Sequence, residues 1–140
     1  MFYGDEVRKI DSKNRVMIPA KFRKNLNEKI FLVMGPDNTL RLMNLDVYDL
    51  MLRKIKNVDK RKKETRESLR FFMRSTVELQ TDSSGRIRIT ENFSKQLNLK
   101  TKEINFIGMD NYIEITIPID EKNKNELIDN FYNNAEDFNF

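Results

Sequence analysis

Two short segments place an acid and a base four residues apart across what reads as a tight turn: Asp11-Ser-Lys-Asn-Arg15 and Asp82-Ser-Ser-Gly-Arg86. An aspartate suits the first position of a type I turn, and Asn14 or Gly85 suits the left-handed position that closes it with a bulge. The arginine ending each segment offers a planar fork of donors that clamps phosphate or reads the O6/N7 edge of guanine. The simplest role of the pair is internal: acid and base hold each other and the turn amides, and exposed pairs of this kind add little stability. The two roles coexist if aspartate positions the loop while arginine faces a ligand. On that reading Asp11, Asp82 and Gly85 support the motif, while Arg15 and Arg86 face the ligand.

Other chemistry is poorly provided for. The 140 residues include no histidine and no cysteine, which removes the usual neutral-pH base, the commonest metal ligand, thiolate sites and disulfides. The four glycines (Gly4, Gly35, Gly85, Gly108) stand alone, so no phosphate-cradling loop is formed. The expectation is a protein that is not an enzyme, with no catalytic residues, cofactor, metal or small-molecule substrate. No apolar run approaches the roughly 18 residues of a membrane span. Asp5 and Glu6 fall where a signal peptide needs apolar residues, which predicts a cytoplasmic protein.

The elements that must position these turns emerge from an internal repeat. Residues 11–27 and 82–98 match at eight of seventeen positions, and a second block, 30–42 against 104–115, aligns Gly35-Pro-Asp-Asn with Gly108-Met-Asp-Asn. Each copy reads as a turn, an alternating strand (Val16 and Ile18; Ile87 and Ile89), a short helix and a second hairpin over 30–43 or 104–117. Pro19 suits a first helical turn and Thr90 an N-cap. Phe22 with Leu26, and Phe93 with Leu97, share a helix face. Helical spacing predicts helices over 46–56 and 64–74 between the copies and over 121–134 after them, with the last six residues disordered. One unit of about 45 residues is too small for a good core, so two units exchanging hairpins predict a pseudo-dimeric β core flanked by helices. The boundaries read as 1–57, 58–76 and 77–140, fused into one compact unit.

Charge is uneven. Residues 119–140 hold six acids and two bases, so the net +4 of the chain becomes +8 over the first 118. Residues 8–24 carry seven bases and one acid, whereas 82–95 carry Arg86, Arg88 and Lys95 against Asp82 and Glu91. The first copy is therefore expected to make the main nucleic-acid contact, the second being chiefly structural or facing a neighbour. Residues 53–74 hold ten bases and three acids and read as a solvated helix pair, with auxiliary phosphate contact the alternative. Phe71-Phe72-Met73 reads as core or subunit interface.

Paired DxxxR motifs in register with a full repeat, the opening Met1-Phe-x-Gly4, Arg15-Val-Met-Ile-Pro19, Arg70-Phe-Phe, Gly108 and Ile113-Glu-Ile together resemble the MraZ family over nearly the whole chain. The resemblance implies an α+β fold in which two tandem AbrB-like repeats form a pseudo-dimeric swapped-hairpin (double-split) β-barrel flanked by helices. It implies a regulator that binds tandem promoter repeats of the division and cell-wall operon as a closed, often octamer-like homo-oligomeric ring, nucleoid-associated, with double-stranded DNA and its own copies as partners. DNA contact would centre on the loops 11–15 and 82–86, with Lys9, Lys13, Asn14, Arg15 and Arg86 as the DNA-binding residues. The chain departs from the family pattern at Thr90, where proline is usual, and at Thr116, where an aromatic is typical and bears on the last helix. An RNA-binding module would need exposed sheet aromatics beside the bases, and a pure assembly protein would have no nucleic-acid role.

Overall fold

A computed structural model of the chain describes residues 1–120 and 123–139. The first copy comprises β1 (Asp5–Lys9), β2 (Arg15–Met17), α1 (Ala20–Arg23), β3 (Ile30–Met34) and β4 (Leu40–Asn44). Helices α2 (Leu45–Lys56) and α3 (Lys63–Ser75) follow. The second copy repeats the order as β5 (Val77–Leu79), β6 (Arg86–Arg88), α4 (Glu91–Leu97), β7 (Glu103–Gly108) and β8 (Ile113–Thr116). Helix α5 (Lys124–Asn133) and a 3-10 turn (Ala135–Phe138) complete the described chain. That turn occupies much of the tail expected to be disordered. Glu121 and Lys122, expected to begin the last helix, lie outside the described residues.

The two copies form the same elements with local differences that the residues explain. Thr90 caps α4, its hydroxyl accepting from the Phe93 amide at 3.4 Å, and Asn98 ends it in the left-handed conformation. In the first copy Pro19 sits just before the helix and offers no capping side chain, so α1 is a single turn.

Strand pairing is antiparallel throughout, in a six-stranded sheet ordered β1-β7-β8-β4-β3-β5 and a separate two-stranded ribbon of β2 and β6. The hairpins β3–β4 and β7–β8 are internal to their copies. Every other ladder joins one copy to the other. β1 lies on β7 with Val7 opposite Asn105, β5 lies on β3 with Glu78 opposite Phe31, β4 meets β8, and β2 meets β6. The Asp–Arg turns form as expected, but the strands they join, β1 with β2 and β5 with β6, share no ladder. An isolated two-stranded hairpin is marginal; the other copy offers each strand a wider apolar surface. The fold is α+β, with β1 and β5 as open sheet edges rather than one closed ladder.

Alternation divides the apolar residues between two cores. Leu40, Leu42, Ile113, Ile115, Ile104 and Phe106 point from the large sheet toward Val16, Ile18, Ile87 and Ile89, with Phe22, Phe93 and Leu97 of the short helices sealing the ends. On the opposite face Phe31, Val33 and Met43 meet α2 and α3. There Tyr48 stacks on Phe31 at 4.4 Å and on Phe72 at 5.6 Å, and its hydroxyl reaches Thr76 Oγ1 at 3.2 Å. Burying three aromatic rings in one stack fixes the helix pair to the sheet. The Phe71-Phe72-Met73 run divides: Phe72 is core, while Phe71 and Met73 face out.

Candidate nucleic-acid interface

Each Asp–Arg segment is a type I turn closed by a left-handed residue. The Asn14 amide donates to the Asp11 carbonyl at 3.1 Å and the Asp11 amide to the Arg15 carbonyl at 2.8 Å. In the second copy the Gly85 amide donates to the Asp82 carbonyl at 3.0 Å and the Asp82 amide to the Arg86 carbonyl at 3.1 Å. Asn14 and Gly85 take φ of 59° and 79°, the region where asparagine and glycine are least penalised.

The aspartates hold these loops from inside. Asp11 Oδ1 accepts from the amides of Lys13 (2.8 Å) and Arg15 (2.9 Å), and its Oδ2 accepts from Arg15 Nε (3.1 Å). Asp82 does the same with Ser84 (2.9 Å), Arg86 (2.9 Å) and Arg86 Nε (2.9 Å). The Arg15 amide above all, then the Lys13 amide and the Arg15 guanidinium, hold the Asp11 carboxyl below its ordinary value despite some desolvation. The Arg86 amide leads the same effect at Asp82. Both carboxylates thus stay charged, and each arginine is tethered to its aspartate through Nε.

The two turns lie against each other. The Ile18 amide donates to the Gly85 carbonyl at 3.0 Å, and the Ile89 amide to the Asn14 carbonyl at 2.7 Å. Arg86 Nη1 lies 3.8 Å from Asp11 Oδ2, so Asp11 touches both arginines. In the ribbon, Val16 pairs with Ile87 and both are buried. Side chains alternate along a strand, so Arg15 opposite Arg88, and Met17 opposite Arg86, occupy the outer face. The side chains of Arg15 and Arg86 are 29% and 30% exposed, so geometry does not rank one copy above the other. Lys9, Lys13 and Asn14 are exposed. Lys9 ends β1 opposite Glu103, while Lys13 and Asn14 form the tip of the first turn.

Two residues of this face escape the motif. Arg88 is exposed and makes no ion pair among the described residues; its counterpart in the first copy is Met17, so comparing copies hides it. Arg23 leaves α1 to donate from Nη1 to the Ser84 carbonyl at 3.2 Å, and its guanidinium fills the space beside Gly85 where a Cβ would stand. The alternating Arg86-Ile-Arg88 pattern carried a signal for the first; nothing local signalled the second. Together Arg15, Arg86 and Arg88 make a short cationic β-ribbon whose far side is anchored in the core. Among the described residues no group of acids, histidines or cysteines is arranged to hold a metal ion, and no helix is long and apolar enough to cross a membrane.

A profile of the family described as "MraZ protein, putative antitoxin-like" matches residues 1–71 and again 72–116. The two matched segments each contain one Asp–Arg turn, and the match ends at the last residue of β8.

Proposed function

The chain belongs to the MraZ family, a family of regulators rather than enzymes, and from that premise we propose that it is a sequence-specific DNA-binding regulator of transcription. The observation that carries this reading is the juxtaposition of the two turns, which gathers Arg15, Arg86 and Arg88 on the outer face of one two-stranded ribbon. The major groove admits a two-stranded β-ribbon, and arginine is the commonest reader of guanine there. Aspartate tethering holds the forks before DNA arrives, which reduces the ordering cost of binding. Lys9, Lys13 and Asn14 flank the ribbon as phosphate or backbone contacts, which position the protein without reading sequence.

The reciprocal ladders support describing the two copies as an AbrB-like swapped-hairpin barrel, the pseudo-dimer expected of the repeat. Neither copy is complete alone, since each first strand lies on the other copy's hairpin. The binding unit is thus the fused pair, with 58–76 as its connecting helical region.

One such ribbon is small, and its largely electrostatic binding falls steeply with salt. Closed rings of identical chains, octamer-like in size, would present several ribbons to tandem promoter repeats, and tethering raises apparent affinity by about 10²–10⁴ without new contacts. The target is the DNA upstream of the chain's own division and cell-wall operon, which places the protein in the cytoplasm at the nucleoid. Footprinting on that DNA tests the proposal. Protection of spaced direct repeats, lost on Arg15→Ala, is expected; uniform protection, or none, contradicts it. Equal affinity for one isolated repeat and for tandem repeats removes the avidity mechanism.

A further inference from the structure

Helix α5 is amphipathic, yet every one of its residues is exposed. Leu127, Ile128 and Tyr132 face solvent, Ile128 at 54%. Ten residues form a helix only about 15 Å long, and isolated helices shorter than about 12–15 residues are marginal in water. An apolar stripe on such a helix calls for a surface to bury it.

A matching surface lies on α3. Phe71 is 58% exposed at a groove of about 500 Å³ lined by Met34, Glu67, Arg70, Phe71, Arg74 and Ser75. Its apolar floor comes from Met34 and Phe71, and two arginines stand on its wall against one glutamate. The segment around α5 has the opposite sign: Glu126, Asp129, Glu136 and Asp137 against Lys124. Among the described residues, none of α5 lines this groove.

We propose that α5 of one copy docks into the α3 groove of a second copy, its apolar stripe covering Phe71 and its acids facing Arg70 and Arg74. This deepens, and rests on, the homo-oligomeric reading above by naming the segment that joins the copies. Each chain gives a helix and receives one through different surfaces. Such head-to-tail contacts close into rings when the rotation between copies permits. The basic stretch on α3 thereby acquires an acidic protein partner.

The absence of cysteine makes the test clean. Full-length Phe71→Cys and Ile128→Cys chains, one carrying a size tag, are mixed and treated with a short bis-maleimide. A covalent dimer containing one chain of each kind is expected, with its yield reduced several-fold by Arg70→Glu with Arg74→Glu and restored when Glu126→Lys and Asp129→Lys are placed on the other chain. Cross-linking only within a double Phe71→Cys/Ile128→Cys chain, and none in the mixture, assigns the groove to the chain's own helix and overturns the proposal. An untreated chain that sizes as an oligomer but yields no mixed product overturns the docking while leaving the oligomer standing. A chain that is monomeric at all concentrations overturns both. Binding to DNA measured on the same chains reads the arginine ribbon separately.

Discussion

Replacing Gly85 with alanine inserts a methyl group at the point where the two copies interlock. Gly85 adopts φ of +79°, and a Cβ there meets the Arg23 guanidinium, which must move and give up its hydrogen bond to the Ser84 carbonyl. The left-handed conformation costs a residue with a Cβ about 1–2 kcal/mol, and a lost hydrogen bond adds about 0.5–1.5 kcal/mol. The combined loss is about 1.5–3.5 kcal/mol. Asn14 occupies the same position of the first turn at φ of 59° but is exposed, so Asn14→Ala should cost only about 1 kcal/mol, from backbone preference alone. Urea-denaturation midpoints of the two variants, repeated in an Arg23→Ala background, separate the terms as a double-mutant cycle. With Arg23 truncated, the Gly85→Ala loss should shrink to its backbone term of about 1–2 kcal/mol. Equal losses at both positions in the parent chain, or a Gly85→Ala loss unchanged without Arg23, would refute the interlocked-turn account.

Further outcomes follow from the same geometry. Arg88→Ala removes from the ribbon a cation with no ion pair among the described residues, so the slope of log affinity against log salt should flatten by about 0.9 per engaged protomer, or about 3.5-fold over a fourfold salt range; an unchanged slope in a salt titration counts against an Arg88 phosphate contact. Asp82 has a depressed carboxyl pKa, led by the Arg86 amide, so its stabilisation is full above the unfolded carboxylate value and is lost as pH falls through the folded one. Wild type should therefore exceed Asp82→Asn in urea midpoint near neutrality, and the gap should close in acid; a gap constant with pH contradicts the assignment. Phe72→Ala opens the stack on Tyr48 and should lower stability by about 3–5 kcal/mol, read by thermal or chemical denaturation. A loss below about 1 kcal/mol would mean that the helix pair is not held by this core.

The parts legible in the sequence are those fixed by local chemistry. The left-handed positions at Asn14 and Gly85, the cap at Thr90, and the alternation that buries Val16, Ile18, Ile87 and Ile89 depend on neighbours within a few residues. The choice of partner for β1 and β5 does not. Both strands are short, and their ladders to β7 and β3 join residues far apart in the chain, so local pattern reads a hairpin where the fold makes an exchange. Arg88 was hidden because its counterpart is Met17, and Arg23 because its partner, Ser84, belongs to the other copy. The spacing of Leu127, Ile128, Phe131 and Tyr132 predicts an amphipathic helix but carries no information on what it packs against. Thr116 stands where the family pattern has an aromatic, and the helix beyond it has no buried residue.

The central claim is that the tethered arginine forks read bases rather than merely supply charge. Lysine keeps the charge but loses the planar fork, so titrating operator-upstream DNA and a scrambled duplex with wild type and with Arg15→Lys/Arg86→Lys measures it directly. The account predicts that binding to scrambled DNA and its salt slope are little changed while discrimination falls by about 1–3 kcal/mol, or about 5- to 150-fold, per lost bidentate contact. Full discrimination retained by the lysine variant, or none in the wild type, would contradict it.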